Sequence, residues 1–566
     1  MSLLTNPFEH DKLLGAISEI GPNYVRAAFV IPLTSGQKFL HGQSITTGQV
    51  GDFVLIDGQD RAIFGKVTRV RLPDKDRRQV EPSLEDSEIT KPVADIQLMA
   101  SISLIGGNVV PGITKYPQIG ARVFIAPANI LQTLSSSVHH KINLLIAHLP
   151  TSPEHEILIS PEQLFGRHCA VLGTTGGGKS WTVARLVEQA KSHKSKVILF
   201  DPSGEFWRIS GQTTHVHIGA DANPKCSSTE VVVPYTSLTE SDLLALFNPS
   251  GQTQAPKLRA AMKSLKLAKI LPKNYPDGYI QKAGLSKVAH DKLFHENSKV
   301  VERPFADFDI SHLAKQIQEE CVYPSGFASR GSGSDHSVWG GQNLAEVGYV
   351  VPLLARIEDM IQSPDLSCLF ELKNKASIFS VIDKFLKDDN FTCLRISFKN
   401  LSFAYSVREI VCNSIGRHLL RSAREQKFKD KPVVVFVDEA HQFLNKHIGD
   451  DNFKFPLDAF DLIAKEGRKY CLNVCIATQR PRDIPEGVLS QMGTLIVHRL
   501  INDRDREVVE RASGEIDKSA AAFLPTLSQG QAIIVGVDFP APLTVQIMRP
   551  TYAPDSDGPK YQESWN

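Results

Sequence analysis

The sequence predicts an α/β protein: a mostly parallel sheet with helices, preceded by a small β-barrel and interrupted by a helical insertion. Three observations predict it. From about residue 156 onward, short apolar runs alternate with helical patterns, the texture of a parallel sheet. Before about residue 129, Gly and Pro punctuate short alternating segments at 24–31, 52–56, 63–70 and 121–125, which fits a barrel. Between about residues 226 and 390 apolar residues fall at i, i+3, i+4 instead, as in 241–247, 257–271 and 353–361.

The expected organisation is therefore a barrel over 1–150, a core over 151–225 and 391–549, an insertion over 226–390 and a tail over 550–566. Core strands are expected at 169–172, 197–200, 393–397, 433–437, 473–477 and 494–497. A closing hairpin follows at 531–537 and 543–547. The charged stretch 73–91 reads as a loop or hairpin tip of the barrel, and Gly/Ser-rich 325–341 as a mobile loop of the insertion. The polar, Pro-rich tail cannot form a core of its own, so it is either disordered or strapped across a neighbour.

Composition narrows the class. Apolar content of 42% and charged content of 22% are those of a soluble globular chain. A net charge of +1 gives no global basic field, so any contact with nucleic acid needs a locally positive pore or cleft. No apolar run nears the roughly 20 residues of a membrane span, and the N-terminus lacks the features of a signal peptide. The eight cysteines are scattered, and C-x₃-C at Cys471 and Cys475 has no partner pair, which points to reduced thiols and a cytosolic protein.

The chemistry begins at residues 173–180, G-T-T-G-G-G-K-S, a complete G-x-x-x-x-G-K-[ST] phosphate loop between an expected strand and an expected helix over 181–194. Backbone N–H groups of Gly173, Thr174, Thr175, Gly176, Gly177 and Gly178 cradle phosphate oxygens where the helix dipole favours anions. Lys179 reaches the β- and γ-phosphates and the Ser180 hydroxyl ligates Mg²⁺. Trp181, opening the helix, completes the nucleotide-contacting set. An apolar run at 433–437 ends in Asp438 and Glu439, 259 positions after Lys179. Asp438 there holds the Mg²⁺ shell and Glu439 polarises the attacking water.

Gln479, in Ala-Thr-Gln-Arg-Pro over 477–481, sits at a strand end where it can touch the γ-phosphate or simply be satisfied locally. Glu205, in Asp-Pro-Ser-Gly-Glu-Phe over 201–206, either assists water or caps a helix. Arg167 and Arg468 are candidates for the guanidinium that phosphoryl transfer favours, although as isolated residues each reads as a surface charge. Asp-Glu-Ala-His at 438–441 spells the box of the large two-lobed helicases, yet the spacing and the short remaining chain exclude that arrangement. Leu-Ser-Gln-Gly-Gln at 527–531 follows the acidic strand, whereas the transporter-ATPase signature precedes it. No N-K-x-D guanine-reading motif occurs, which favours ATP over GTP.

In order and combination, the segments 165–180, 201–206, 437–441, 463–470, 477–481 and 488–503 resemble the HerA–FtsK group of RecA-like motor ATPases, specifically its HerA branch. The barrel is similar in kind to the HAS-barrel of that family. The resemblance implies a RecA-like P-loop NTPase core, a homo-hexameric ring threading double-stranded DNA, and ATP at subunit interfaces with arginine supplied in trans. Arg167 and Arg468 then become interface arginines. It also implies a nuclease partner on the barrel face, NurA-type in DNA-end resection, or sirtuin-like and other effectors in bacterial anti-phage defence. Segment 441–456, with Lys446, His447 and Lys454, is either a pore-lining stretch or a plain surface loop. Two further functions compete: a VirB4-type secretion or conjugation ATPase, and a ring scaffold that uses ATP to assemble an effector without translocation.

Overall fold

The computed structural model describes residues 7–29, 38–40, 43–45, 48–72, 92–104, 109–127, 130–131, 141–150, 152–219, 225–327, 334–372, 375–444, 447–448, 455–513, 518–556 and 561. The expected hairpin tip at 73–91, and Lys446 and Lys454, lie outside these residues. The chain divides into two compact units, Met1–Gln189 with Met492–Pro550, and Ala190–Gln491 with Thr551–Asn566.

In the first unit, six antiparallel strands close a barrel in the order Tyr24–Phe29, Leu13–Ile20, Arg122–Ile125, Phe53–Asp57, Arg61–Arg71 and Val93–Ser103, with the last pairing back on the first. Alternation explains the interior: Val25, Ala27 and Phe29 point inward and meet Val54, Ile56, Ile63, Ile96 and Val123. Each large apolar side chain buried this way contributes roughly 1.5–3 kcal/mol. Closure also removes the exposed edges on which strands of other chains could pair.

A second sheet of this unit positions the phosphate loop. Cys169–Leu172 lies parallel to Thr494–His498. Antiparallel strands Gln531–Gly536, Leu543–Ile547, Leu144–Leu149 and Ser152–Ile159 follow in that order. The last two strands are not anticipated from sequence, because Ser152–Ile159 begins with exposed polar residues and is held by pairing. His498 is fully buried. Its Nδ1–H donates to the Gln531 carbonyl at 2.8 Å, which can only accept, so Nε2 accepts from the Thr182 hydroxyl at 2.8 Å. Burial above all, and then the nearby Lys179 charge, push its pKa down to about 4.

The second unit holds seven parallel strands in the order Leu472–Thr478, Val433–Val437, Lys196–Asp201, Cys393–Ser397, Thr213–Ile218, Thr229–Val232 and Ala376–Ser377. The first four are buried along their whole length, which is why they read as continuous apolar runs. Thr213–Ile218 escapes sequence reading, since Thr-Thr-His-Val-His-Ile is too polar to register and is ordered by pairing with Cys393–Ser397. The insertion is helical as expected. Its helix Glu240–Phe247 starts on a Thr239/Asp242 capping box. Helix Gly251–Ile270 begins a turn and a half earlier than its periodicity suggests, because apolar spacing sets in only after Pro256. Of the expected loop at 325–341, Gly326–Phe327 pairs with Ser334–Asp335.

Burial pushes the thiols of Cys368 and Cys393 up to about 12, so these cysteines are inert packing groups. Among the described residues no helix is long and apolar enough to cross a membrane.

One ion pair organises the edge of the parallel sheet. The Asp201 carboxylate, fully buried, accepts N–H bonds from Gly204 at 2.8 Å and from Glu205 and Phe206 at 3.1 Å. It also accepts the Arg395 Nε–H at 2.6 Å. Removing one partner of such a pair leaves an uncompensated buried charge, so Arg395→Met should cost about 3 kcal/mol. Urea unfolding measures it, and an unchanged midpoint would refute the assignment. His498 gives a pH prediction. A depressed folded pKa stabilises fully above the unfolded value near 6.5, and that stability is lost as pH falls toward 4. At pH 5 the loss is about 2 kcal/mol. Thermal melts at pH 7.5 and 5.0 should show a smaller acid-induced drop for His498→Gln than for the parent chain; equal drops would contradict this account.

Candidate functional site

The phosphate loop is built by close backbone approach. A Cβ on Gly173 would lie 2.6 Å from the His498 Cβ. Gly178 adopts φ +116 and packs against Gly530, where a side chain would be both strained and crowded. Thr174 N–H donates to the Arg499 carbonyl at 2.9 Å, Gly177 N–H to the Thr174 carbonyl at 3.1 Å, and Gly530 N–H to the Gly177 carbonyl at 3.1 Å. Thr175 and Gly176 form the exposed crown of the loop.

Helix Lys179–Lys191 starts at the loop with no acidic residue in its first turn, so the positive end of its dipole stays uncompensated. Lys179 is 6% exposed and its ammonium donates to the Thr174 carbonyl at 3.1 Å, curled over its own loop. Ser180 lies partly exposed in the first turn, and the Arg549 guanidinium stands 5.9 Å over the Trp181 ring. A crowded glycine turn, an uncompensated helix start and a nearly buried ammonium fit a polyphosphate anion. Arg167 belongs to the same unit, where it packs against Gly493 and its Nε lies 3.3 Å from Asp538, still half exposed.

In the second unit the structure gathers the acids. Asp438 follows Val433–Val437 and is 2% exposed. Burial first, then the charges of Glu439, Asp201 and Glu205, raise its carboxyl well above the ordinary range, so a cation there restores its charge. Glu439 takes a left-handed backbone with φ +43. Its buried Oε2 accepts no hydrogen bond, with His441 Nδ1 3.3 Å away. His441 Nδ1 also lies 3.2 Å from the Thr478 hydroxyl, and that oxygen accepts Arg480 N–H at 3.0 Å. This chain of contacts brings the strand end bearing Gln479 beside the acidic pair. Among the described residues no group of three or more His, Cys, Asp or Glu side chains forms a metal cage. Mg²⁺ at nucleotide sites ordinarily uses one or two protein ligands with phosphates and water, and Ser180 and Asp438 are of the right chemistry.

Glu205 does not cap a helix: Asp201 caps the turn that contains it, and the Glu205 carbonyl accepts Asp555 N–H at 2.9 Å. Asp555 also takes Trp207 Nε1–H at 3.1 Å and Arg208 at 2.9 Å, so the described part of the tail lies on its own chain. Arg468 is exposed in the 3₁₀ turn Gly467–Tyr470 and makes no ion pair among the described residues. Half of segment 441–456 lies outside the described residues; His447–Ile448 pairs with Phe455–Pro456.

Sequence reasoning missed His498, Arg395 and one loop. After strand Cys393–Ser397, Tyr405 and Ser406 both have positive φ, at +57 and +52, while Phe403 is 75% exposed. Arg408, 4% exposed, clamps this turn by donating to the Leu401 carbonyl at 2.8 Å and the Lys399 carbonyl at 3.1 Å. It stacks 3.6 Å from the Phe403 ring centre and reaches Gln442 Oε1 at 3.4 Å, three residues beyond Glu439. Two adjacent non-glycine residues in this region are sparsely populated geometry, held only by surroundings that insist on it. No local signal in the sequence marks it.

Comparison with known proteins agrees with this arrangement. Residues 144–308 match the model of the central domain of helicase HerA, and residues 418–553 match the HerA-like C-terminal domain, together more than half of the chain. The DNA double-strand break repair helicase HerA of Sulfolobus acidocaldarius is 23% identical over 544 residues, covering 91% of this chain and 92% of that protein. The probable helicase MJ1565 of Methanocaldococcus jannaschii is 24% identical over 519 residues, covering 88% and 86%. Among solved structures, the conjugative coupling protein TrwB is similar at 14% identity and TM-score 0.46, covering 77% of this chain and 94% of that one. From these two domain matches and the site described, the chain belongs to the HerA family of helicases and is a P-loop ATPase.

Proposed function

We propose that this chain hydrolyses ATP with Mg²⁺ to drive movement along double-stranded DNA as a homo-hexamer. A nuclease or other effector docks on the N-terminal barrel, in DNA-end processing or anti-phage defence, within the cytoplasm. The observation that carries the reading is the complete phosphate loop on a strand-to-helix turn, inside a chain matched by both HerA domain models. Relatives named as DNA double-strand break repair helicases support DNA as the track. The domain scheme of barrel over 1–150, core over 151–225 and 391–549, insertion over 226–390 and tail over 550–566 belongs to the same proposal.

In this reading the loop residues and Trp181 hold the nucleotide, Lys179 neutralises its terminal phosphates, and Ser180 and Asp438 hold Mg²⁺. Glu439 takes the proton of the attacking water; its Oε2, which accepts no hydrogen bond and has His441 Nδ1 3.3 Å away, supports this, because such an acceptor is available to a water. Gln479 senses the γ-phosphate, and Glu205, near Asp438, tunes the charge of the acidic group. Arg167 and Arg468 reach a neighbouring subunit's nucleotide, a role their exposure supports. The strained loop with Lys399, Phe403 and Tyr405 is the element that touches the duplex, and Arg408 with Gln442 links it to the acidic pair. Phosphate contacts of this kind grip any sequence, and binding weakens steeply as salt rises.

Lys179→Ala is expected to lose nucleotide binding by at least about 100-fold, read by equilibrium dialysis. Glu439→Gln should bind ATP normally and lose about 10²–10⁴ in turnover; near-parent turnover would remove Glu439 from the proposed role. ATPase rate measured with and without linear duplex DNA, alone and with the product of the neighbouring gene, tests the motor itself. Stimulation of several-fold is expected, reduced in Phe403→Ala/Tyr405→Ala. No stimulation in either setting would sink the translocation proposal.

A further inference from the structure

A half-open cleft of about 1270 Å³ lies in the second unit, between the insertion and helix Val407–Arg424. None of its lining residues belongs to the phosphate loop or to the acidic strand end. Most charges in it are matched. Lys269 pairs with Asp307, Arg417 with Asp242, and Arg424 with Glu466. Asp383 meets His418 Nε2 at 3.0 Å, and Glu425 meets Lys427 at 2.7 Å.

Three lining cations, Lys266, Arg303 and Arg421, make no ion pair with a carboxylate among the described residues, although Arg421 donates to His418 Nδ1 at 3.2 Å; against them stand two lining carboxylates, Asp458 and Asp383, the latter facing an imidazole that burial holds toward its neutral form. Two contacts link the segments that carry them, and Arg303 and Arg421 are both exposed. Lys266 Nζ donates to the Arg303 carbonyl at 2.6 Å, and the Arg421 guanidinium stands 5.5 Å over the ring of Phe305, two residues on. Lys266 is 5% exposed, and burial pushes its pKa below the ordinary lysine value. Glu240, Glu302 and Asp307 act on this ammonium from beyond ion-pair distance, but its hydrogen-bond acceptor is a neutral carbonyl, so an anion at its side would offset the remaining cost of burial. Opposite in character, Phe379 packs on His418 with ring centres 5.0 Å apart, and Ile270, Leu420 and Leu462 add apolar wall.

Cations with no carboxylate partner, beside aromatic faces, suit one ligand chemistry, a phosphate carried on a flat ring. The guanidiniums and ammonium take the phosphate, and the aromatic faces take the base. The volume exceeds the roughly 300–1,000 Å³ usual for small-ligand sites, so a nucleotide fits with room to spare. We propose that this cleft is a second nucleotide-binding site, for a nucleoside phosphate held by Lys266, Arg303 and Arg421 against Phe305 or Phe379.

The experiment uses the full chain carrying Lys179→Ala, so that the phosphate loop is silenced. Fluorescence anisotropy is read with labelled ADP and, separately, with a labelled ten-nucleotide single strand. One saturable site per chain is expected with at least one probe. Adding Arg303→Gln and Arg421→Gln should weaken it at least about tenfold, since each lost charged hydrogen bond is worth about 1.5–3 kcal/mol. Saturation by ADP identifies a free nucleotide as the source, and saturation by the strand alone identifies a nucleic-acid segment; both support the site. No saturable binding of either probe overturns the proposal, as does binding that the two substitutions leave unchanged. With Lys179 intact, the Arg303→Gln/Arg421→Gln chain should keep its basal ATPase rate, which verifies its fold. If that chain does not fold, Phe305→Leu and Phe379→Leu are read instead on the Lys179→Ala chain, and unaltered affinity for both probes in both variants overturns the proposal.

Discussion

The buried pair of Asp201 and Arg395 is the constraint on which the acidic edge of the parallel sheet depends. Four carboxylates, Asp201, Glu205, Asp438 and Glu439, act on one another there, and like charges cannot all remain ionised in a dry environment. Arg395 neutralises Asp201, and three backbone N–H groups spend its remaining lone pairs on holding the turn at 204–206. Asp201 is thus structural. Asp438 is left as the acid pushed toward its neutral form, and so as the group whose charge a metal would restore.

The first unit solves the opposite electrostatic problem. Its loop must attract a polyanion, so it concentrates partial positive charge and one nearly buried ammonium, Lys179. A second cation below the loop would destabilise that arrangement. His498 fills the space as a neutral ring, its tautomer set by the Gln531 carbonyl, and its Cβ leaves no room for a side chain at position 173. The same residue therefore shapes the loop sterically and keeps its field simple.

Strain collects where these groups are displayed. Glu439 on one turn, and Tyr405 with Ser406 on another, hold left-handed backbone geometry that non-glycine residues avoid. Arg408 spans both turns through Lys399, Leu401 and Gln442. A guanidinium that satisfies carbonyls on one side and an amide on the other ties the two turns to a common conformation, so a change at either is felt by the other. Phe398 packs at a tilt against Phe200 at 5.3 Å and Phe443 at 5.2 Å, giving that link a rigid floor.

The sequence by itself determined the chemistry of the phosphate loop, the four buried parallel strands and the helical texture of the insertion. These are legible because they depend on local patterns: a fixed glycine and lysine spacing, continuous apolar runs, and a 3.6-residue period. The turn that holds Glu205 leaves no such pattern, because its backbone N–H groups bond the Asp201 carboxylate, four positions before Glu205. Strands such as Thr213–Ile218 were invisible because pairing, not composition, orders them. Arg395, His498 and Arg408 look like any other polar residues in the chain. Only the tertiary structure decided their roles, because those roles come from partners 194, 33 and 34 positions distant. Desolvation and hydrogen-bond geometry act across space, and neither leaves a trace in local sequence.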